Sequence, residues 1–89
     1  IGSNVNVGPF CRFSTDTHEM GSNGRRAGQV LYRPITIGNG TWIGANVTIL
    51  GGVTIGSGVI VGAGSLVIKD IPDNVLYVGS PARFARQLY

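Results

Sequence analysis

The sequence contains one cysteine, few charged residues and no long apolar run, and each scarcity excludes a class of protein. A single cysteine cannot form an internal disulfide, so nothing argues for an oxidising compartment and we expect a cytoplasmic location. No stretch approaches the roughly 18 apolar residues of a membrane span. The net charge of +3 is small and dispersed, and only three tyrosines, three phenylalanines and one tryptophan are available for stacking. We therefore expect neither a membrane nor a nucleic-acid partner.

Glycine, by contrast, is abundant. It makes up 15 of the 89 residues, beside only four prolines and 43% hydrophobic residues, a composition that is neither disordered nor collagen-like. We expect one small domain, residues 1–89, whose marginal stability depends on repetition or on partners. The chain starts at Ile1 rather than at methionine, with no basic and apolar leader, which is consistent with a domain truncated at its N-terminus.

A six-residue repeat runs through most of the chain. From Ile37 the hexads read IGNGTW, IGANVT, ILGGVT, IGSGVI, VGAGSL and VIKDIP, and the N-terminus repeats the pattern with IGSNVN and VGPFCR. A period of six fits neither an exposed strand nor a helix. It fits short strands joined by tight corners, with one inward aliphatic side chain per strand and glycine or asparagine at positive φ. The repeat predicts a parallel β-helix in which three hexads complete each turn.

The repeat breaks between residues 14 and 34 and again near the C-terminus. The first break contains the TDTH segment and GSNGRRAG, which are polar and aperiodic, so we predict a functional loop over about 14–34 that is expelled from the coil. This loop carries His18, the only histidine, two residues after Asp16. At the other end, the turn signals in DIPDN and GSPAR precede a segment whose composition predicts a short helix over about 82–88.

The repeat, the TDTH segment, the hexad that contains Trp42 and the closing GSPARFAR together resemble the hexapeptide-repeat O-acetyltransferases, over all 89 residues. The nearest families by motif are the galactoside, maltose and surface-polysaccharide acetyltransferases. The resemblance implies an all-β fold, a left-handed parallel β-helix with an expelled loop, and a homotrimer with active sites between subunits. It also implies acetyl-CoA as donor, no metal, and an acceptor hydroxyl on a sugar or a saccharide-like molecule.

By the family pattern, His18 is the general base that takes the acceptor's proton, a task that suits histidine at neutral pH. The same pattern implies a set of cofactor-binding positions that runs from the pantetheine arm to the phosphates: Trp42, Ala45, Ala63, Ile68, Lys69, Arg83 and Arg86. Small residues leave room for the arm, and basic residues suit the phosphates, with Arg83 and Arg86 on one face of the predicted helix. The backbone NH of Ala45 is the implied oxyanion donor. Trp42 also fits a subunit interface, and Lys69 also fits a solvated turn.

For several other residues the sequence leaves more than one role open. Asp16 either orients the imidazole or bonds to nearby backbone NH groups. Cys11 occupies the small inward place of its hexad, which favours a packed thiol over an acyl-carrying nucleophile and therefore favours direct transfer. Arg25, Arg26 and Tyr32 lie in the expelled loop, and the sequence does not decide whether they contact the acceptor.

The sequence therefore predicts an acetyl-CoA-dependent O-acetyltransferase, with N-acetylation left open. The alternative is a non-catalytic trimeric β-helix that binds CoA without a complete acceptor site, because the resemblance places acceptor-binding residues of the galactoside and maltose enzymes upstream of this chain's first residue. A γ-type carbonic anhydrase shares the coil but needs three histidines for its metal, and this chain has one.

Overall fold

The computed structural model describes all 89 residues and contains twelve β-strands and no helix, hence no helical segment suited to crossing a bilayer. Most strands are only two or three residues long, as expected for the sides of a narrow coil. Their bounds are β1 Asn6–Val7, β2 Arg12–Ser14, β3 Asp16–Met20, β4 Ala27–Tyr32, β5 Thr36–Ile37, β6 Trp42–Ile43, β7 Thr48–Leu50, β8 Thr54–Ile55, β9 Ile60–Val61, β10 Leu66–Val67, β11 Val75–Gly79 and β12 Ala82–Gln87.

Successive coils stack in parallel with an offset of one full turn. Trp42 pairs with Ile60, and Thr48 pairs with Leu66, so the partners are three hexads apart. The ladders form the three sides of the coil: face A is β1-β6-β9-β11-β12, face B is β10-β7-β2, and face C is β5-β8. The structure confirms a parallel β-helix with three hexads per turn.

The aliphatic residue that opens each hexad points into the coil. Ile43, Ile49, Ile55 and Val61 are completely buried. They belong to one continuous core that also contains Ile37, Val47, Val53, Val59, Val67, Ile71, Val75 and Ala82. Full burial of a valine or isoleucine side chain contributes about 1.5–3 kcal/mol. The repeat therefore gives a short chain a core that grows with every coil.

The corners between strands use left-handed backbone, as the repeat predicts. Asn46 has a φ of 57° and Gly64 a φ of 75°. Close stacking of the coils adds a second demand, because a Cβ on Gly44 would lie 2.7 Å from the backbone nitrogen of Ala63 in the next coil. Glycine at position 44, the second place of its hexad, is thus required by the spacing of adjacent coils.

The segment predicted as an expelled loop is a two-stranded antiparallel hairpin. Its strands β3 and β4 pair from Asp16 and Tyr32 at the base to Met20 and Ala27 near the tip. The base is closed where the NH of Arg33 donates to the carbonyl oxygen of Thr15 at 2.8 Å. Every residue of β3 is exposed. The hairpin therefore projects away from the coil, and the molecule measures 48 Å by 23 Å by 23 Å.

The C-terminal segment is a strand, and the predicted helix over 82–88 is wrong. Strand β12 pairs antiparallel with β11 from Ala82 opposite Gly79 to Gln87 opposite Val75. A helix of seven residues is marginal by itself. The unpaired edge of β11 instead offers a row of backbone hydrogen-bonding partners, and pairing with it also buries Ala82 against the core. The tertiary environment thus overrides the helix-favouring composition of the segment.

Candidate functional site

His18 lies in the middle of β3, with its side chain exposed and one ring nitrogen engaged. Its Nδ1 atom is 2.9 Å from the backbone carbonyl oxygen of Gly28 in β4. Because a carbonyl oxygen can only accept a hydrogen bond, Nδ1 carries the proton in the neutral ring. Nε2 then holds the free lone pair, which is the state that a general base requires.

Asp16 does not orient this imidazole. The two residues are two apart on β3, so their side chains lie on the same side of the hairpin, but the ring is bonded to Gly28. Tyr32 pairs with Asp16 across the hairpin and shares this side. The loop arginines are farther away at the tip, where Arg26 donates to the carbonyl oxygen of Gly21. A backbone carbonyl thus takes the place that a carboxylate has in a triad.

A groove crosses the outer side of face A. The strand register aligns one residue from each strand in a single row: Asn6, Trp42, Ile60, Leu76 and Arg86. This row points outward because the next residues along β6 and β9, Ile43 and Val61, point into the core. The groove has a volume of about 550 Å³ and is lined by Gly40, Trp42, Gly58, Ile60, Asn74, Leu76, Arg86, Leu88 and Tyr89. Its floor is apolar and one end is basic.

Arg83 and Arg86 lie on the same side of the protein, although not on a helix. In a regular strand, residues three apart point to opposite sides. Here β12 has a bulge, because Tyr77 pairs with Phe84 while Leu76 pairs with Arg86, leaving Ala85 as an extra residue. Since Arg83 pairs with Val78, both arginines lie beside alternate residues of β11. The bulge therefore places the two guanidinium groups on the outer side of face A.

Ala45 and Ala63 stack in the corner between faces A and B. The NH of Gly64 donates to the carbonyl oxygen of Ala45 at 2.9 Å, so the two alanines occupy the same place in consecutive coils. Ala63 is exposed and Ala45 is half-buried. The backbone NH of Ala45 donates no hydrogen bond within the chain. The NH of Ala63 donates none either, so this corner presents small side chains and two free backbone donors.

Ile68 and Lys69 lie at a different corner, between faces B and C. Both residues directly follow β10 and are exposed. Ile68 lies one coil beyond Leu50, and Lys69 lies one coil beyond Gly51. Leu50 pairs with Ser14, the residue from which the hairpin departs. Within one chain, Ile68 and Lys69 thus share an edge of the coil with the base of the His18 hairpin. Trp42, Arg83 and Arg86 lie on face A, and the width of face B separates the two groups.

Cys11 is a packed thiol, in agreement with its place in the hexad. Its Sγ donates to the carbonyl oxygen of Gly44 at 3.0 Å, and the side chain packs against the core. This contact orients the thiol into the coil and away from the groove on face A. The structure thus offers no exposed cysteine nucleophile.

The six-residue pattern is shared with a known protein family. The model of the bacterial transferase hexapeptide (six repeats) family matches residues 34–69. The chain is 46% identical over 88 residues to the galactoside O-acetyltransferase of Escherichia coli (strain K12) and 40% identical over 88 residues to that of Lactococcus lactis. The chain belongs to the hexapeptide-repeat acyltransferase family.

Solved structures of this family share the fold. A hexapeptide-repeat acetyltransferase from Vibrio cholerae O1 biovar eltor, complexed with acetyl-CoA, matches with a TM-score of 0.91 at 42% identity, over 100% of this chain and 49% of that chain. A galactoside acetyltransferase in complex with coenzyme A matches with a TM-score of 0.88 at 44% identity, over 98% of this chain and 44% of that chain. The coil is therefore the left-handed parallel β-helix of the family.

The chain is considerably shorter than these family members. The alignments with the two galactoside O-acetyltransferases include 99% of this chain. They include only 43% of the Escherichia coli protein and 42% of the Lactococcus lactis protein. The chain thus spans less than half the length of the curated relatives it matches. It corresponds to the part of the family fold that includes the hexapeptide coil and the hairpin.

Some site residues are not evident from the motif. Ile60 lies one coil beyond Trp42, so the repeat itself indicates its place in the groove. Leu76 follows the irregular segment after β10, where the six-residue period has ended and no longer predicts which residues align. No sequence motif predicts the contact from the carbonyl of Gly28, because it is a backbone group beside a register shift in the hairpin.

Proposed function

We propose that the protein is an acetyl-CoA-dependent O-acetyltransferase that acts on a hydroxyl of a sugar or a saccharide-like acceptor. The observation that carries the proposal is the bond between Nδ1 of His18 and the carbonyl of Gly28, which leaves Nε2 as a base. A positioned base of this kind suits the removal of a hydroxyl proton. The similarity of the chain to two galactoside O-acetyltransferases supports both the O-acetyl transfer and the class of acceptor.

Acetyl-CoA supplies an activated thioester, and the groove on face A has the character needed to hold it. The apolar floor of Trp42, Ile60 and Leu76 suits the pantetheine arm. Small side chains at Ala45 and Ala63 keep the neighbouring corner open, while Arg83 and Arg86 offer guanidinium groups to the phosphates. Ile68, through its backbone, and Lys69, as a cation, lie at the hairpin corner and would reach this donor from a neighbouring copy. The solved relatives with bound acetyl-CoA or coenzyme A support this donor.

The reaction needs one proton carrier and one oxyanion donor. Nε2 of His18 takes the proton of the acceptor hydroxyl as the hydroxyl oxygen bonds to the thioester carbonyl carbon. The NH of Ala45, which is free in the chain, donates to the oxyanion. When the carbon–sulfur bond breaks, the imidazolium returns the proton to the thiolate. Transfer is direct because Cys11 is packed inward. With no disulfide to form, we assign the reaction to the cytoplasm.

We further propose a homotrimer in which each site is shared between two copies. In one chain, the hairpin edge with His18 and the groove with Trp42 lie on different sides of the coil. Strands β3 and β4 pack mainly on each other, and a two-stranded hairpin is marginally stable alone. A hairpin laid against face A of a neighbour gains support and brings His18 to Trp42 and Arg86. The threefold assembly itself rests on the family resemblance.

The test measures CoA release from acetyl-CoA, together with the acetylated product, over a panel of galactosides, maltose and amino sugars. His18→Ala is expected to lower kcat by about 10²–10⁴-fold, while the Kd for CoA measured by calorimetry is unchanged. Asp16→Asn is the matched control, because Asp16 lies on the same side of β3 without a bond to the ring, and it should keep most of the activity.

Three results would overturn parts of the proposal. Unchanged turnover in His18→Ala would remove the assigned base. CoA binding without turnover on any acceptor would instead favour a non-catalytic CoA-binding trimer, a reading that draws on the short span of the chain relative to its relatives. Turnover restricted to the amino groups of amino sugars would change the reaction to N-acetylation.

A further inference from the structure

Strand β4 carries one extra residue beside His18. From His18 to Met20, β3 advances by two residues, while β4 advances by three, from Val30 to Ala27. A bulge of this kind interrupts the ladder and leaves backbone groups without a cross-strand partner. Gly28 lies within this interval, and its carbonyl oxygen accepts the hydrogen bond from Nδ1 of His18 at 2.9 Å. The bulge thus directs a backbone carbonyl at the side chain of His18.

Only glycine fits at position 28. A Cβ there would lie 2.8 Å from the carbonyl oxygen of Glu19 and 3.4 Å from the backbone nitrogen of Gly21. Both neighbours are backbone atoms, so no side-chain rotation can relieve the contact, and either β3 or the bulge has to shift. Glu19 directly follows His18, so such a shift moves the imidazole relative to its acceptor.

We propose that Gly28 is a positioning residue that sets the tautomer of His18. The inference rests on the proposed role of His18 as the base. In water, neutral histidine favours the tautomer with the proton on Nε2, which has no lone pair at that nitrogen. The carbonyl of Gly28 selects the opposite tautomer, and because it carries no charge it does so without placing an anion beside the ring.

The test is nuclear magnetic resonance of the imidazole in uniformly ¹⁵N-labelled protein. His18 is the only histidine, so both imidazole nitrogen signals belong to it, and their couplings to the ring Hδ2 and Hε1 protons distinguish Nε2 from Nδ1. At a pH where the ring is neutral, the unaltered protein is expected to show Nε2 as the unprotonated nitrogen. Gly28→Ala is expected to shift the population toward the Nε2-protonated tautomer. It should also lower kcat by about tenfold, the equivalent of one lost hydrogen bond, with KM for acetyl-CoA unchanged.

Gly24→Ala is the matched control in the same hairpin. The nearest atom to a Cβ on Gly24 would be Oγ of Ser22 at 3.7 Å, an ordinary contact, so the tautomer and kcat should stay as in the unaltered protein. An Nε2-protonated neutral ring in the unaltered protein would overturn the inference, even if Gly28→Ala did not fold. A Gly28→Ala variant with the original tautomer and kcat would overturn it as well. The spectrum needs no turnover, so a protein with the expected tautomer but no transferase activity would refute the proposed function alone.

Discussion

Two polar side chains, Thr41 and Ser65, are buried within the coil. The hydroxyl of Thr41 donates to the carbonyl oxygen of Gly56 at 2.8 Å and accepts from the NH of Val59 at 3.2 Å. The hydroxyl of Ser65 similarly donates to Gly62 and accepts from Gly79. Both take the fifth place of a hexad, where the other hexads have valine, isoleucine or cysteine. Each hydroxyl thus links two backbone groups that the ladders leave unpaired.

Thr41→Val should therefore destabilise the protein although it preserves the volume of the side chain. The substitution leaves the buried NH of Val59 without its partner, and we expect a loss of about 1–3 kcal/mol in the free energy of unfolding. Urea denaturation measures it. Thr54→Val in β8 is the matched control, because Thr54 is exposed, and it should change the free energy by no more than about 0.5 kcal/mol. Equal losses in both variants would contradict the role assigned to the Thr41 hydroxyl.

At the scale of elements, β12 shows that pairing at an open edge decides between strand and helix. Its residues include helix-favouring alanine, arginine and glutamine, yet the segment extends face A beyond β11. Tyr77 and Phe84 meet edge to face across the two strands, with ring centroids 6.3 Å apart. Aromatic pairs of this geometry are worth about 0.5–1.5 kcal/mol beyond their buried area. The backbone ladder and this contact together favour the strand.

Substitutions at Ala82 and Ala85 distinguish the strand from a helix. In β12, Ala82 is 8% exposed, whereas Ala85 lies in the bulge and is exposed. Ala82→Glu buries a carboxylate in the core and should cost about 2 kcal/mol or more in the free energy of unfolding. Ala85→Glu should change it by no more than about 0.5 kcal/mol. On a helix the two positions would share a face, so similar losses in urea denaturation would count against the strand.

At the scale of the whole molecule, the coil divides the candidate site between two edges. The base of the hairpin lies next to Gly51, at the corner that also holds Lys69, while Trp42 and Arg86 line the groove on face A. A rigid coil with a core of stacked aliphatic residues does not bend to bring the two together. The site as proposed is therefore completed by a second copy of the chain.

Mixing two inactive variants tests the shared site. The Trp42→Ala copy keeps an intact hairpin, and the His18→Ala copy keeps an intact groove. If each site takes its hairpin from one copy and its groove from the next, these two variants together can form an intact site. Co-expression of the two variants should therefore restore activity, in about a quarter of the sites of randomly mixed trimers. Co-expression of His18→Ala with His18→Asn is the control, since no pairing supplies an intact hairpin. Activity no greater than that of the separate variants would place the whole site within one chain.

The sequence alone determined the coil and selected His18 as the proposed base. A six-residue period permits only one inward side chain per strand, so burial and the corner residues follow from short-range rules that any hexad displays. The turn of three hexads then set the register, which places Ile60 over Trp42. His18 needed no structure to be selected, since it is the only imidazole in the chain.

The tertiary structure decided what the residues outside the period do. It alone paired residues 82–87 with the edge of β11, turned Arg83 and Arg86 to one side through a bulge, and directed the carbonyl of Gly28 at His18. Edge pairing and bulges depend on backbone hydrogen bonds between segments, and every residue carries the same backbone groups. Side-chain patterns therefore reveal which faces are buried, but only the folded chain shows which backbone groups meet.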